Sequence, residues 1–469
     1  MATVGERLEE VIEREAPVWG IDPVPPEHRR LSGLDFVVLW GDLALGLLVI
    51  ITGALLVPAL GFPRALLAIV VGSVIGCIPL ALVARAGARE AVPTMVLFRP
   101  VLGVRGSYLP SILNIVQLVG WTGFEFWAMS LVANQMSVRL FGFSQRWLWL
   151  GVVAAVCTAL ALGGPILVVR RWLERFGAWV VAGVALWITI RVLTTAHLGA
   201  LWRAPGEGDF PFWLAVDLVI AMPVSWLPLV ADYNRFAKQG GRSATGTYVG
   251  YAIGNVWFYA LGALLVLGAG LTDPSPAGLA QSIASLAGGG IVLLTLLVGE
   301  TDEAFADVYS AAVSSQNLSP RIPQRIAIVG VAAAGVGISA WLFGRPDFGT
   351  TTYFNFLLLL GSVFVPLVGV FVADYFVLRH RRSAERDTNF RVLALVPWVL
   401  GFLVYQWSVP AALGWWTRWM RALFHGALHL PFPLWDSAAG ASIPSFAVAL
   451  VLGVVLLRRR PGRARKASP

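Results

Sequence analysis

The stretch "FWLAVDLVIAMPVSWLPLVADYNRF", which runs from Phe212 to Phe236, is apolar enough to cross a membrane but carries two prolines in its middle. Pro223 and Pro228 each lack the backbone N–H that a helix requires, and each ring crowds the preceding turn. We therefore predict an unwound segment near 222–228. Unwound backbone at membrane depth is tolerated only where it lines a cavity or is covered by protein. The stretch thus predicts a helical membrane protein with an interior cavity.

Composition supports the same class for the whole chain. Of the 469 residues, 57% are hydrophobic and 13% are charged, with a mean hydropathy of +0.74, whereas soluble proteins carry about 25% charged residues. The apolar runs do not alternate as barrel strands would. The expected fold is therefore an all-α polytopic membrane protein with twelve transmembrane helices. The windows lie at roughly 34–58, 65–84, 108–136, 147–169, 176–195, 211–231, 247–271, 289–315, 324–343, 354–378, 392–413 and 441–457.

The net charge of +9 is distributed unevenly between the two sides of the membrane that these windows define. The side that holds both termini carries 27 of the 35 Lys and Arg residues. Because cytoplasmic loops are enriched in basic residues, we predict that both termini are cytoplasmic and that the protein lies in the cell inner membrane. The basic tail "RRRPGRARK" (Arg458–Lys466) then reads as a cytoplasmic anchor, and no nucleic-acid partner is expected.

A second interruption is predicted in the first span, "LWGDLALGLLVIITGALLVP", which contains three glycines and Asp42. Broken helices at the first and sixth positions are typical of an inverted five-plus-five repeat, in which the unwound backbone binds substrate and ion near the midplane. Two further helices would lie outside the repeat. The predicted parts are a cytoplasmic segment (1–32), a ten-helix transport core (33–380), two additional helices (381–458) and the basic tail (459–469).

The eighth window contains "GETDEAFADVYSA" (Gly299–Ala311), which has four acids, and no Lys or Arg occurs between positions 243 and 320. A charge at the centre of a span costs roughly 2.5–3.5 kcal/mol on insertion scales. The acids either form a solvated helix end or face a wet cavity, and the apolar run from Ile291 before them favours the cavity. Thr301 and Asp302 lie off the main acidic face. That face, at spacings of 3, 4, 3 and 4, consists of Glu300, Glu303, Asp307, Ser310 and Ser314.

Two aromatic positions could bind a flat ligand. Trp121 and Glu125 are one helical turn apart in the third window and so point the same way. A stacking indole beside a carboxylate suits a planar heterocycle with N–H donors, although Trp121 could instead be core and Glu125 could pair with an arginine. Ser225 and Trp226 lie between the two prolines, and the predicted break there makes them candidates for the ligand site.

Asp42 and Asp217 are single acids within windows, and each could hold a proton or cap a helix. Cys77 and Cys157 read as small core residues. An enzyme that binds Mg²⁺ through Glu303 and Asp307 for a prenyl or glycosyl phosphate is a remote alternative. Such a site usually needs a second acidic cluster and phosphate-binding bases. A channel is a further alternative, but broken helices around an acidic pocket favour alternating access.

Several segments together resemble the purine/cytosine permease family, the nucleobase–cation symporters, over about residues 24–460. The resembling segments within the third, sixth and eighth windows look most like a branch that imports hydroxymethylpyrimidine, a thiamine precursor. The segments are "VPPEHRRLSGLDFVVLW", "RPVLGVRGSYLP", "GWTGFE", "SWLPLVADYNRFAK", "DVYSAAVSSQNL" and "NFLLLLGSVFVPLVGVFVADYF".

The resemblance implies that a planar substrate stacks between Trp121 and Trp226. We expect Ser225 and Gly46 also to line the substrate site. Relatives often carry a glutamine where this chain has Glu125, and an asparagine where it has Asp307. Because a carboxylate donates no hydrogen bond unless protonated, both changes favour a donor-rich ring, such as an aminopyrimidine, over uracil.

The resemblance also implies a cation site between the first and eighth spans. Backbone carbonyls near Ala44 and Leu47 would bind Na⁺ together with Thr301 and Asp302, and Glu300 and Glu303 would take part in coupling. Asp302 replaces a hydroxyl residue of sodium-coupled relatives, so it could tighten Na⁺ binding or carry a proton. The expected protein is a cation-coupled symporter, not an enzyme, with no cofactor beyond Na⁺ or H⁺. A monomer is plausible, and a cytosine, purine, allantoin or hydantoin permease of the same family is the alternative substrate assignment.

Overall fold

The computed structural model describes residues 19–163, 177–208, 210–269, 276–285, 289–345, 352–378, 389–409, 414–430 and 440–458. The predicted basic tail and the first part of the predicted N-terminal segment lie outside these residues. In chain order the main helices are α1 (Gly33–Asp42), α2 (Leu47–Leu55), α3 (Phe62–Glu90), α4 (Tyr108–Phe141), α5 (Arg146–Gly163), α6 (Ala178–Thr195), α7 (Phe212–Ser225), α8 (Val230–Asn234), α9 (Gly240–Ala269), α10 (Pro276–Ser285), α11 (Gly289–Leu318), α12 (Gln324–Leu342), α13 (Tyr353–Val372), α14 (Val392–Ser408), α15 (Gly414–Arg421) and α16 (Ser442–Leu457).

Shorter helices lie at Pro26–His28, Thr94–Leu97, Arg99–Leu102 and Leu198–Arg203, and π-helical turns extend α13 over Ala373–Val377 and α15 over Ala422–Ala427.

The described part of the chain is an all-α membrane protein, as predicted. Seven of its helices are long and apolar enough to cross a membrane, or eight if α1 and α2 form one bent span. Three shorter apolar helices, α7, α14 and α16, and the acidic helix α11 coincide with the remaining windows. The count of twelve spans and the inverted repeat stay predictions. Large apolar side chains, such as Val116 at 63% and Ile291 at 70% exposure, cover the outer surface, as lipid contact requires.

The first predicted break is present between α1 and α2, which meet at an angle of 59°. Helix α1 begins with a capping box, in which the Asp35 backbone N–H donates to the Ser32 hydroxyl and the Ser32 N–H donates to the Asp35 carboxylate. The chain leaves helical geometry after Asp42, and Gly46 precedes the first residue of α2. The backbone between them is therefore free for other partners.

The second predicted break lies at 226–229, between α7 and α8. Pro228 has no N–H to donate to the Val224 carbonyl, and the Leu227 N–H donates to it instead at 3.1 Å. The turn tightens there and the helix ends. Pro223 stays inside α7, so the unwound segment begins a few residues later than the first proline.

Glycines allow α9 to approach the broken first span closely. A side chain on Gly262 would meet the backbone carbonyl of Ile50, and one on Gly53 would meet the backbone of Tyr259. The absence of both side chains brings α2 and α9 into backbone contact, which fixes α2 on one side while α11 packs nearby.

The residues before α1 cross the end of the molecule at which α8 lies. Leu31 pairs in parallel with Ala237, and the fully buried Arg235 donates to the Gly20 carbonyl at 2.6 Å and to the Tyr309 hydroxyl at 3.0 Å. One cation thus ties the segment before α1 to α11.

Of the two single acids, Asp217 is a helix cap. Its carboxylate accepts hydrogen bonds from the backbone N–H groups of Ala441 at 2.7 Å and Ser442 at 2.9 Å, at the beginning of α16. It therefore joins α7 of the broken pair to the last described helix. Cys77 and Cys157 are buried, as predicted for small core residues.

Asp217→Ala should lower the stability of the folded protein by about 1–3 kcal/mol, because two buried N–H groups lose their acceptor. The measurement is the midpoint of thermal unfolding in detergent. Glu207→Ala, in an exposed loop, is the control and should change the midpoint little. Equal midpoints for the two variants would contradict the capping role.

Candidate functional site

The predicted site residues come together in the interior, between the two breaks and the helices α4 and α11. Glu125 lies on α4, and the acids of α11 face it, while Gly46 and Leu47 come from the break between α1 and α2. Ser225 and Trp226 lie at the end of α7. Residues that are separated by up to about 260 positions in the chain thus surround one region.

Two acids of α11 are fitted against the beginning of α2. The backbone N–H of Leu47, the first residue of α2, donates to the Glu300 carboxylate. The first N–H groups of a helix have no partner within the helix and carry a partial positive charge, so a carboxylate is well placed there. The Glu303 carboxylate lies against the α-carbon of Gly46, in the space that a side chain at position 46 would occupy.

Six buried acids surround this point, and none is more than 6% exposed. The carboxyl groups of Asp42 and Asp302 face each other, as do those of Glu125 and Asp307. The set consists of Asp42, Glu125, Glu300, Asp302, Glu303 and Asp307.

The charge of this cluster requires compensation. Within the part of the chain that the structure describes, Asp42, Glu125, Glu300, Glu303 and Asp307 form no ion pair with Lys or Arg. An isolated buried carboxylate costs several kcal/mol or more, whereas a proton or a bound cation removes most of that cost. The cluster can therefore hold protons or cations. The acids do not lie at a solvated helix end, so the first of the two sequence interpretations is wrong.

Trp121 and Trp226 are both buried, each at 6% exposure. The Trp121 ring meets Tyr353 and Phe356 edge to face, at centroid distances of 5.9 and 5.1 Å, and the Trp226 ring meets Trp40 in the same way at 5.9 Å. The Trp121 indole nitrogen has no hydrogen-bond partner among the described residues. These are rigid aromatic surfaces beside the acid cluster, with one free donor.

Tyr353 fastens the beginning of α13 to α2 over this region. Its hydroxyl lies 3.0 Å from the Thr52 hydroxyl and donates to the Leu48 carbonyl at 3.1 Å. Trp40, on α1, donates to the Asn234 side-chain oxygen at 3.0 Å and packs against Trp226. The sequence analysis did not identify Tyr353 or Trp40, because a single aromatic in an apolar span gives no local signal.

A polar pair on α4 was also missed. Asn114 donates to the Ser314 hydroxyl at 2.8 Å, and Gln117 donates to the Ser225 carbonyl at 2.9 Å. With Trp121 and Glu125 they follow a spacing of 3, 4 and 4 residues along one face of the helix. This stripe could have been identified from the sequence, because amide side chains are unusual within an apolar span.

Ser225 and Thr301 were predicted to contribute to the substrate site and the cation site, but their hydroxyl groups bond within their own helices. The Ser225 hydroxyl donates to Met222 and the Thr301 hydroxyl donates to Val298, each to a carbonyl of its own helix. Ser225 offers its carbonyl to α4 instead. Ala44 lies in the break between α1 and α2 and packs against Gly254 of α9, so its side chain supports the break.

Four of the six acids form two facing pairs, and Glu300 and Glu303 lie against the beginning of α2. Among the described residues, no three His, Cys, Asp or Glu side chains converge as a metal-ion site of that kind. Paired carboxyl groups beside an unwound helix, buried aromatic surfaces and a lipid-facing exterior together define a membrane transporter.

Comparison with known proteins identifies the family. The family described as permeases for cytosine/purines, uracil, thiamine and allantoin matches residues 23–392. The chain belongs to this family of purine/cytosine permeases, which are transporters and not enzymes.

Two relatives and one solved structure illustrate the match. The cytosine permease of Escherichia coli (strain K12) is 25% identical over 405 residues, which cover 84% of this chain and 91% of the relative. The hydantoin permease of Microbacterium maritypicum is 23% identical over 391 residues, covering 78% and 77%. The fold is similar to that of Mhp1, a nucleobase-cation-symport-1 family transporter in a closed conformation with bromovinylhydantoin bound, with a TM-score of 0.76 and 19% identity over 94% of both chains.

Gly46→Ala should destabilise the protein by about 1–3 kcal/mol, because the added methyl group occupies the space of the Glu303 carboxylate. The midpoint of thermal unfolding measures this change. Gly151→Ala is the matched control, since nothing lies within 4 Å of its added carbon, and it should be neutral or slightly stabilising. Glu303→Ala combined with Gly46→Ala should recover part of the loss. No recovery in the double variant would show that the crowding lies elsewhere.

Proposed function

We propose that this protein imports a planar nitrogen heterocycle together with Na⁺ or H⁺. The observation that carries the proposal is the group of six buried acids between two broken helices, beside the indoles of Trp121 and Trp226. The acids accept N–H donors or hold the coupling cation, and the indoles offer faces on which a flat ring can stack. Family membership supports the assignment to transport.

For the substrate we propose the cytosine, purine, allantoin and hydantoin class, which was the alternative in the sequence analysis. It is better supported than hydroxymethylpyrimidine, because the relatives named above are a cytosine permease and a hydantoin permease. Glu125 and Asp307 would read the polar edge of the ring. Since carboxylates accept but do not donate, cytosine with its amino group should bind better than uracil.

The coupling cation would lie between the break of the first span and α11, near Ala44, Leu47, Thr301 and Asp302. In this mechanism the ring stacks on the indoles, and one group of helices rocks against the other to exchange access. A membrane potential supplies about 2.3 kcal/mol per charge per 100 mV. One cation can therefore drive roughly fiftyfold accumulation of a neutral solute, because about 1.4 kcal/mol corresponds to tenfold. Cytoplasmic termini and a location in the cell inner membrane complete the proposal.

A thermal-shift screen of the purified protein tests the substrate class. The compounds are cytosine, uracil, hypoxanthine, allantoin, hydantoin and hydroxymethylpyrimidine, each with sodium chloride and with choline chloride. A ligand at 100 times its Kd adds about 2.7 kcal/mol to stability, so a clear rise in the unfolding midpoint is expected with cytosine. Trp121→Ala should remove that rise, whereas Trp419→Ala, at a position 67% exposed, should keep it.

Stabilisation by hydroxymethylpyrimidine alone would overturn the substrate assignment. Stabilisation by none of the six compounds in either salt would overturn the proposal that the indoles and acids form a heterocycle site. An unchanged affinity in Trp121→Ala would remove that indole from the site.

Asp302→Asn should change the ion dependence of uptake by proteoliposomes, because it removes one carboxyl group of the facing pair with Asp42. Uptake of radiolabelled cytosine is measured against sodium concentration and against pH. Asp217→Asn is the control, since that buried acid caps α16 outside the cluster. The same sodium and pH profiles in Asp302→Asn and the unaltered protein would contradict a coupling role for Asp302.

A further inference from the structure

The side-chain amides of Asn114 and Gln117 donate hydrogen bonds to backbone carbonyls at the break between α7 and α8. Both side chains are at most 1% exposed. The Gln117 amide donates one hydrogen to the Ser225 carbonyl at 2.9 Å and the other to the Asn114 side-chain oxygen at 2.8 Å. Asn114 in turn donates to the Ser314 hydroxyl at 2.8 Å and to the Pro228 carbonyl at 3.4 Å. The pair therefore joins α4, α11 and the two ends of the break.

The Ser225 carbonyl needs this partner because the helix ends there. In a continuous helix it would accept from the N–H of Leu229, but that N–H donates to the Trp226 carbonyl at 3.1 Å. A buried carbonyl without a donor is costly, and Ser225 is buried, at 4% exposure, so its carbonyl needs a donor within the protein. Gln117 supplies the missing donor from the neighbouring helix.

This bond also links the two aromatic surfaces of the site. Gln117 precedes Trp121 by one helical turn on the same face of α4, and Ser225 is the residue immediately before Trp226. One amide group therefore connects the backbone that carries Trp226 to the helix that carries Trp121. Both hydrogens of the Gln117 amide donate, one to the Ser225 carbonyl and one to the Asn114 side-chain oxygen. These two hydrogen bonds fix the orientation of the amide.

We infer that Gln117 is a positioning residue that sets the separation of Trp121 and Trp226 for a flat ligand. The inference rests on the proposed function, because it assigns to Gln117 the geometry of the heterocycle site. Without the amide, the Ser225 carbonyl seeks another donor and the unwound segment shifts. The ring then loses contact on one face, so affinity falls although neither indole has been altered.

The test compares ligand affinity among variants of the full-length protein, with cytosine and hydantoin as probes and isothermal titration calorimetry as the readout. Gln117→Leu keeps the approximate size but removes the donor, and affinity should fall by about tenfold, which is the scale set by one unsatisfied buried carbonyl. Gln135→Leu, a half-buried glutamine on the same helix, is the matched control and should leave affinity unchanged.

Gln117→Glu tests whether the hydrogen bond of residue 117, and not only its shape, sets the ligand affinity. Its side chain has the same shape, and it donates to the Ser225 carbonyl only when the introduced carboxyl group is protonated. The affinity ratio of this variant to the unaltered protein should therefore rise at least fivefold between pH 8 and pH 5. The ratio is needed because other acids of the site also titrate, namely Asp42 on α1, Glu125 on α4, and Glu300, Asp302, Glu303 and Asp307 on α11.

Three outcomes decide the matter. A loss in Gln117→Leu together with recovery of Gln117→Glu at low pH supports the inference. An unchanged affinity in Gln117→Leu overturns it, as does a ratio for Gln117→Glu that does not change with pH. Failure of the proposed function would give a different result. The unaltered protein would bind neither cytosine nor hydantoin, and Trp121→Ala would not change that.

Discussion

Every broken helix inside a membrane leaves backbone N–H and C=O groups that need partners, either in the protein or in a water-filled cavity. The structure meets this constraint with side chains from the helices that face the breaks. Glu300 of α11 accepts from the first N–H of α2, and Gln117 of α4 donates to the last carbonyl of α7. Helices α4 and α11, which pack beside the breaks, therefore also supply hydrogen-bond partners for the backbone that the breaks expose.

The same arrangement concentrates acids where the backbone is open. The partial positive charge at the beginning of α2 stabilises one carboxylate, Glu300. Asp42, Glu125, Glu303 and Asp307 form no ion pair with Lys or Arg among the described residues, so a proton or a bound cation would offset the cost of burying them. A buried cluster with this demand for positive charge, beside the break between α1 and α2, can exchange cations or protons there. This is the physical link between the fold and cation-coupled transport.

Aromatic side chains pack against the two indoles of the candidate site. Tyr353 fastens α13 to α2 beside Trp121, and Trp40 packs against Trp226 and bonds to Asn234. Farther from the site, Arg235 ties the segment before α1 to α11. Each of these contacts consists of a few directed hydrogen bonds in addition to apolar contact.

The sequence by itself determined the membrane class, the presence of a break in the first and in the sixth span, and the acidic face of α11, although the second break begins a few residues later than predicted. Those features are local: prolines remove a donor within one helix, and residues three or four positions apart share a face whatever surrounds them. It also placed Trp121, Glu125 and Asp307 among the candidate residues. Only the tertiary structure decided that Asp217 caps α16, that Ser225 offers a carbonyl to α4, and that Tyr353 and Trp40 flank the indoles. Those roles depend on partners more than a hundred residues away, and a chain does not record in its local pattern which distant helix will meet it.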